Sequence, residues 1–255
     1  MKILIGDTGL VGTTLCENIN FDFKFNSSNI SEFSHKVIDD SELYLSCLPA
    51  TKWIINQNPI RDFENMMNIL NIVKTKTYSK IILISTIDVY GNSPLKSNED
   101  NIPQLNNFSY GNNRYLFELF IKELVKTNDL KIFRLPALFN SHIKKNIIYD
   151  LIHNHNVEQI NSNSSYQWYN LNNLHNDIEK YSTKYPNEIV FNLFTEPIDS
   201  LDIIKLFPNS TEKVLFTENK VIYDFTTKFN KIGYISPKED ILIEIKKFIN
   251  ETCIK

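Results

Sequence analysis

Three of the six glycines in this 255-residue chain stand at positions 6, 9 and 12, directly behind the apolar run Ile3-Leu4-Ile5. A short apolar run without polar alternation reads as a strand buried on both faces, the kind found in parallel sheets. Thr13-Thr14-Leu15-Cys16-Glu17 continues as a helix. A strand that turns through glycines into a helix offers free backbone N–H groups at the positive end of that helix, a cradle for a diphosphate. Gly6 then permits the tight turn, Gly9 lets backbone approach a pyrophosphate, and Gly12 lets helix and strand pack closely. Thr8, Leu10 and Val11 fill the positions between them. The spacing is G-x-x-G-x-x-G, and a glycine turn can also be purely structural, so the rest of the chain must carry the reading.

Composition narrows the classes. A formal net charge of −3 gives no basic footprint for nucleic acid. The chain starts on a strand rather than a leader, and no apolar run is long enough for a bilayer. The expectation is a cytoplasmic protein with no membrane and no nucleic acid among its partners. Cys16, Cys47 and Cys253 are odd in number and scattered, as reduced thiols are. His153 and His155 lie one residue apart, which gives no helical metal geometry, so no metal is expected.

Further buried strands follow in order. Phe21–Phe25 is a second strand ending in Asn26-Ser27-Ser28. The end of this strand meets the adenosine ribose in a dinucleotide fold, where a carboxylate selects NAD. None follows Phe25, so Asn26 and Ser27 are expected at the ribose and NADP is the expected cofactor, with NAD possible. Both could equally be ordinary turn residues. Asn29–Phe33 makes a turn or two of helix and Lys36–Ile38 a brief strand. Glu42–Cys47 is a better strand running into Leu48-Pro49, which, with Cys47, would face the cofactor crevice. Nothing basic flanks Cys47, so its thiol reads as buried filler. Helices are expected at Arg61–Val73 and Ser109–Lys126, strands at Lys80–Ile84 and Leu130–Arg134. Tyr110 and Arg114 stand four apart and share one helical face.

Four landmarks in this order resemble the extended short-chain dehydrogenases/reductases, the group of NAD(P)-dependent nucleotide-sugar epimerases, dehydratases and reductases. They are Gly6-x-x-Gly9-x-x-Gly12, Ser85-Thr86-x-x-Val89-Tyr90-Gly91, Tyr110-x-x-x-Arg114 and Arg134-Leu135-Pro136. Weaker likeness continues through Gln167–Leu174, Phe191–Leu193, Pro197–Ile204 and Ile232–Asn250. The resemblance implies a doubly wound α/β fold with a small C-terminal substrate lobe. Residues 1–140 would form the dinucleotide-binding domain and 141–255 the lobe, with about 187–205 returning to the main domain.

The resemblance also implies roles. Tyr110 would exchange a proton with a sugar oxygen, and Thr86 would orient that oxygen. Arg114 takes the place of a lysine that binds the nicotinamide ribose and lowers the tyrosine pKa. Pro136 would meet the nicotinamide carboxamide. Ile87 and Asp88, with Thr86 and Tyr110, would line the substrate site. The dehydratase branch has Asp-Glu where this chain has Ile87-Asp88, which argues against dehydration. In the lobe, Lys144, Lys145 and Asn146 open a helix over Ile147–Ile152 and could meet a nucleotide diphosphate, or could be a solvated end. Trp168 could stack on a base or belong to a core. The expected substrate is a nucleotide-activated sugar and the expected chemistry hydride transfer, most simply keto-sugar reduction. Epimerisation and a catalytically silent NAD(P) sensor remain as alternatives. The two long helices carry more apolar surface than one sheet face covers, and a homodimer through them is expected.

Overall fold

The computed structural model describes residues 1–91, 93–105, 109–207, 214, 218 and 220–253. The elements run β1 (Lys2–Ile5), α1 (Leu10–Asn18), β2 (Phe23–Phe25), β3 (Ser41–Leu45), α2 (Lys52–Gln57), α3 (Pro59–Val73) and β4 (Thr77–Thr86). Then follow α4 (Tyr110–Leu124), β5 (Lys126–Thr127), β6 (Leu130–Leu135), β7 (Ala137–Phe139), α5 (Ile147–His153), β8 (Ser165–Tyr166) and β9 (Trp168–Asn170). The chain continues through α6 (Leu174–Lys184), β10 (Val190–Asn192), β11 (Ile198–Asp199), α7 (Ser200–Ile204) and α8 (Lys238–Cys253).

Two compact units result, one of residues 1–94, 101–134 and 174–192, the other of 95–100, 135–173 and 193–255. The first holds the sheet β10-β6-β4-β3-β1-β2, with the short β5 beside β4. The pairs β1–β2, β1–β3, β3–β4, β4–β5 and β6–β10 are parallel. This is a doubly wound α/β fold. The chain leaves β1 for β2 on one side and returns to β3 on the other, so β1 and β3 flank the point where winding reverses. Crevices that hold ligands open at such points, outside the carboxyl ends of the strands.

Register then decides what gathers there. Ile5 pairs with both Phe25 and Leu45, and Leu45 with Leu83. Gly6, Asn26 and Ser46, one residue beyond, therefore share one edge of the sheet. Ile3, Ile5, Phe25, Leu43, Leu45, Ile81 and Leu83 are buried in one cluster with Met66, Leu70 and Val73 of α3 and Phe117 and Ile121 of α4. Burying a Leu, Ile or Phe side chain of this kind contributes about 1.5–3 kcal/mol against leaving it in water.

One expected strand does not form. Lys36–Ile38 follows a 3-10 turn at Ile30–His35 and stays outside the sheet, whose edge is β2. Val37 is 89% exposed, so only Ile38 anchors the stretch, too little to hold a strand at an edge.

In the second unit β7 pairs with β9 and β8 with β11. Gln167 ties this unit together: its amide donates to the carbonyls of Thr195 (2.5 Å) and Phe225 (2.8 Å), and its oxygen accepts from the Phe225 N–H (2.9 Å). Residues 95–100 join it through Glu99, which accepts from the Thr227 hydroxyl (2.7 Å) and the Lys228 N–H (2.9 Å).

Candidate active site

The glycine turn is closed by backbone. Gly6 has φ +103°, donates its N–H to the Phe25 carbonyl at 2.7 Å and accepts from the Ser46 hydroxyl at 3.3 Å. A Cβ on Gly12 would stand 1.9 Å from the Gly6 carbonyl oxygen, so no other residue fits there. Gly9 is different: a Cβ there would meet nothing nearer than the Gly6 oxygen at 3.7 Å. Gly9 is also the N-cap of α1, with no side chain capping the helix and no acidic residue in its first turn. The N–H groups around Leu10, Val11 and Gly12 thus face an open, uncapped helix start behind the exposed Thr8, a cradle that fits a diphosphate.

Beside the cradle lies the end of β2. Asn26 accepts from the Ser28 N–H (2.9 Å) and hydroxyl (2.6 Å) on its amide oxygen, and its amide nitrogen donates to the Asp7 carboxylate at 3.0 Å. Ser27 is exposed. A carboxylate does stand at the end of β2, supplied by Asp7 of the glycine turn rather than by the strand itself.

Across the switch point, β3 leads into Cys47, Leu48 and Pro49. Burial pushes the Cys47 thiol up to about 12 despite the Arg114 charge, the direction that disfavours the reactive thiolate. The structure does bring a cation near Cys47, through space rather than along the chain.

β4 ends in Thr86, which caps the short 3-10 turn Ile87–Tyr90: its hydroxyl accepts from the Asp88 N–H at 3.2 Å. α4 starts directly over this turn because residue 111 is glycine. A Cβ at Gly111 would lie 1.9 Å from the Asp88 carbonyl oxygen. That contact brings the start of α4 against the turn after Thr86, and the Tyr110 phenol comes close enough for the Thr86 side chain to act on it. Tyr110 is 8% exposed. Burial raises its pKa above the usual tyrosine range, against the Arg114 charge, and the Asp88 carboxylate adds to the rise. The Asp88 carboxylate in turn meets the Lys52 ammonium at 2.5 Å. Ile87, expected at the substrate site, is buried at 5% exposure in the turn.

Arg114 lies with its guanidinium carbon 4.5 Å from the Tyr110 ring centre. Its fork is engaged elsewhere as well. It donates to both carboxylate oxygens of Asp62 on α3, at 2.7 and 3.1 Å, and to the Pro49 carbonyl at 2.5 Å. Asn113 adds a third donor to Asp62 at 2.8 Å. Arg114 and Asp62 are both nearly inaccessible, at 6% and 4% exposure. The expected contact with a nicotinamide ribose would have to compete with this pair.

A second buried pair frames the same edge. Arg134 of β6 donates to Glu118 of α4 (2.6 Å from Nη2) and to the Tyr90 hydroxyl (2.7 Å). Glu118 also accepts from Ser85 at 2.5 Å, and Tyr90 accepts from Asn192 of β10 at 3.0 Å. Ser85, Tyr90 and Arg134, three of the sequence landmarks, thus hold the ends of three strands in place around Thr86.

Pro136 and Asn146 belong to the second unit. Asn146 caps α5: its oxygen accepts from the Tyr149 N–H (3.0 Å) and its nitrogen donates to the Leu138 carbonyl (2.8 Å). Trp168 is 1% exposed and is core. Among the described residues no His, Cys, Asp or Glu cluster could hold a metal ion.

Asp7, Lys52, Asp62, Gly111 and Glu118 are the site residues that motif reading passes over. Asp7 had a signal, since it sits inside the glycine motif. The two buried acids had none, because their partners lie on other elements.

No protein-family profile and no curated protein matches the sequence. Solved structures do match the fold. A UDP-galactose 4-epimerase aligns at TM-score 0.74 with 13% identity over 98% of each chain. The dTDP-4-dehydrorhamnose reductase of Yersinia enterocolitica aligns at TM-score 0.71 with 14% identity over 99% of each. MoeE5, solved with UDP-glucose and NAD, aligns at TM-score 0.71 with 11% identity over 98% of this chain and 99% of its own. At such identities the likeness is one of fold.

Proposed function

We propose that this chain is an NAD(P)-dependent oxidoreductase of the extended short-chain dehydrogenase/reductase kind, acting on a nucleotide-activated sugar as a keto-sugar reductase. The observation that carries the reading is Tyr110, a buried phenol close enough to Thr86 and Arg114 to feel both, at the carboxyl edge of the sheet on the side where an uncapped glycine cradle opens. Structures of the same fold include a UDP-sugar epimerase and a dTDP-keto-sugar reductase, which supports the substrate class.

Gly6, Gly9, Leu10, Val11 and Gly12 would hold the dinucleotide's diphosphate. When bound, the reduced dinucleotide supplies the hydride that a carbonyl carbon takes up. The chain's own part is the proton. Burial holds the Tyr110 phenol protonated at neutral pH, which suits donation to the carbonyl oxygen as it gains negative charge. Thr86 orients that oxygen, and Arg114 against the ring favours the phenolate left behind. Epimerisation begins instead by removing a hydroxyl proton, which needs Tyr110 as phenolate, the form that burial disfavours. Reduction is therefore preferred. The sensor reading has one observation behind it, the capture of the Arg114 fork by Asp62.

The test is turnover of 4-keto UDP-, GDP-, CDP- and dTDP-sugars, with NADH and NADPH oxidation followed by absorbance. Tyr110→Phe should bind cofactor normally and lose roughly 100-fold or more in kcat, the scale of a positioned acid. Equal rates in the two proteins would refute the role of Tyr110. Tight cofactor binding with no turnover on any sugar would favour the sensor.

A further inference from the structure

We infer that Asp7 is a specificity residue that makes this chain select NAD(H) over NADP(H), from the glycine turn instead of the second strand. The inference rests on the cofactor reading above.

The argument starts from β2. Parallel pairing of Ile5 with Phe25 puts Gly6 level with Asn26 at one edge, and Asp7, the next residue along the turn, meets the Asn26 amide there. The loop beyond β2 is folded by its own amides. The Asn26 N–H donates to the Asn29 side-chain oxygen at 2.8 Å, and the Asn29 nitrogen donates to the Lys24 carbonyl at 3.2 Å. Ser28 takes the Asn26 oxygen twice. Only the amide nitrogen of Asn26 is left to turn outward, and it holds the Asp7 carboxylate by Oδ1 at 3.0 Å. The other carboxylate oxygen, Oδ2, makes no hydrogen bond among the described residues. Asp7 is half-buried and Ser27 exposed, so the site is a wall on one side and open on the other.

A ribose diol needs acceptors, and a carboxylate offers them in a fixed plane. A 2′-phosphate carries nearly two negative charges at neutral pH, and a carboxylate next to it is repulsive. The group that would have selected NAD from the strand is thus replaced by one from the turn, six residues before the end of α1's first turn. One cation competes for influence. Lys24 is close enough to the Cys16 thiol to act on it together with Asp7, and an ammonium there could instead receive a phosphate.

Titration of the purified chain with NADH and with NADPH, by fluorescence or calorimetry, separates the possibilities without any sugar. Wild type should bind NADH at least ~10-fold tighter than NADPH, since one hydrogen-bonded charge contributes on that order. Asp7→Asn and Asp7→Ser should keep the thermal midpoint, weaken NADH and strengthen NADPH, bringing the ratio near one or below. Asn26→Ala, which frees the carboxylate, should erode the ratio less than removal of the carboxylate does. Equal or tighter NADPH binding by wild type overturns the inference, as does a preference unchanged in both Asp7 variants. Loss of NADPH binding on Lys24→Met in place of any Asp7 effect assigns selectivity to Lys24. Binding of neither dinucleotide removes the cofactor reading itself.

Discussion

At the scale of single residues the site is decided by how charges are paired. Arg114 stands where the resemblance places a ribose-binding lysine, but a bidentate pair with Asp62 now uses most of its fork. Arginine makes that pair possible, because its planar fork matches both carboxylate oxygens and an ammonium cannot. Both groups are out of water, so removing one strands the other. Arg114→Met is expected to lower stability by about 3–5 kcal/mol in urea denaturation. Asp62→Asn combined with Arg114→Met should cost less than the sum of the single changes, as for any coupled pair. Arg114→Lys keeps the charge beside Tyr110 and should fall between wild type and Arg114→Met. A variant Arg114→Met that stays within about 1 kcal/mol of wild type yet loses cofactor would move Arg114 from the scaffold to the ribose. Nothing in the sequence marks Asp62. It looks like one polar residue in an amphipathic helix, and only the crossing of α3 and α4 gives it a partner.

At the scale of elements the glycine turn separates what folding needs from what binding needs. Gly12 is packed against the Gly6 carbonyl, and a Cβ has no space. Gly9 faces open space, and its Cβ would point into the cradle without touching the fold. Gly12→Ala should therefore lower the thermal midpoint sharply, the backbone having to shift by more than an ångström. Gly9→Ala should leave the midpoint unchanged and weaken NADH binding severalfold or more. Calorimetry and a melting curve on the two proteins check both. A Gly9→Ala protein that binds as well as wild type would remove the diphosphate from this turn. The motif spacing showed the sheet's main strands and the strand–turn–helix. It could not show that the stretch Lys36–Ile38 lacks a neighbour to pair with. Nor could it show α2, six residues that end just before Pro59. Local pattern records which faces are apolar, whereas the pairs Asp7–Asn26, Glu118–Arg134 and Asp62–Arg114 are set by register and helix crossing. The site was legible where its residues are near in sequence, and hidden where they are not.

At the scale of the whole molecule, the apolar surface that remains on the first unit has a use. Phe63, Met67, Ile69 and Ile72 of α3 and Leu116 and Phe120 of α4 touch the core on one side and are only partly buried. The two helices pack side by side, each 15 residues long, about 22 Å at 1.5 Å per residue. Ile60 at the start of α3 is 62% exposed and Leu124 at the end of α4 50%, and Trp53 of the preceding α2 is 65% exposed. Large contiguous apolar patches are uncommon on monomers, so half-covered apolar side chains on two adjacent helices point to a candidate interface. A second copy placed on the same face by a two-fold axis would form a four-helix contact, in which each ridge meets its own counterpart. The prediction is a homodimer at micromolar concentration, measured by light scattering. Met67→Glu and Phe120→Glu each put a charge at the centre of that contact, yet neither is in the buried core, so both should give a folded monomer with an unchanged melting profile apart from a lower midpoint. Wild-type protein that runs as a clean monomer would refute the dimer. A dimer that survives both substitutions would place the interface on another face.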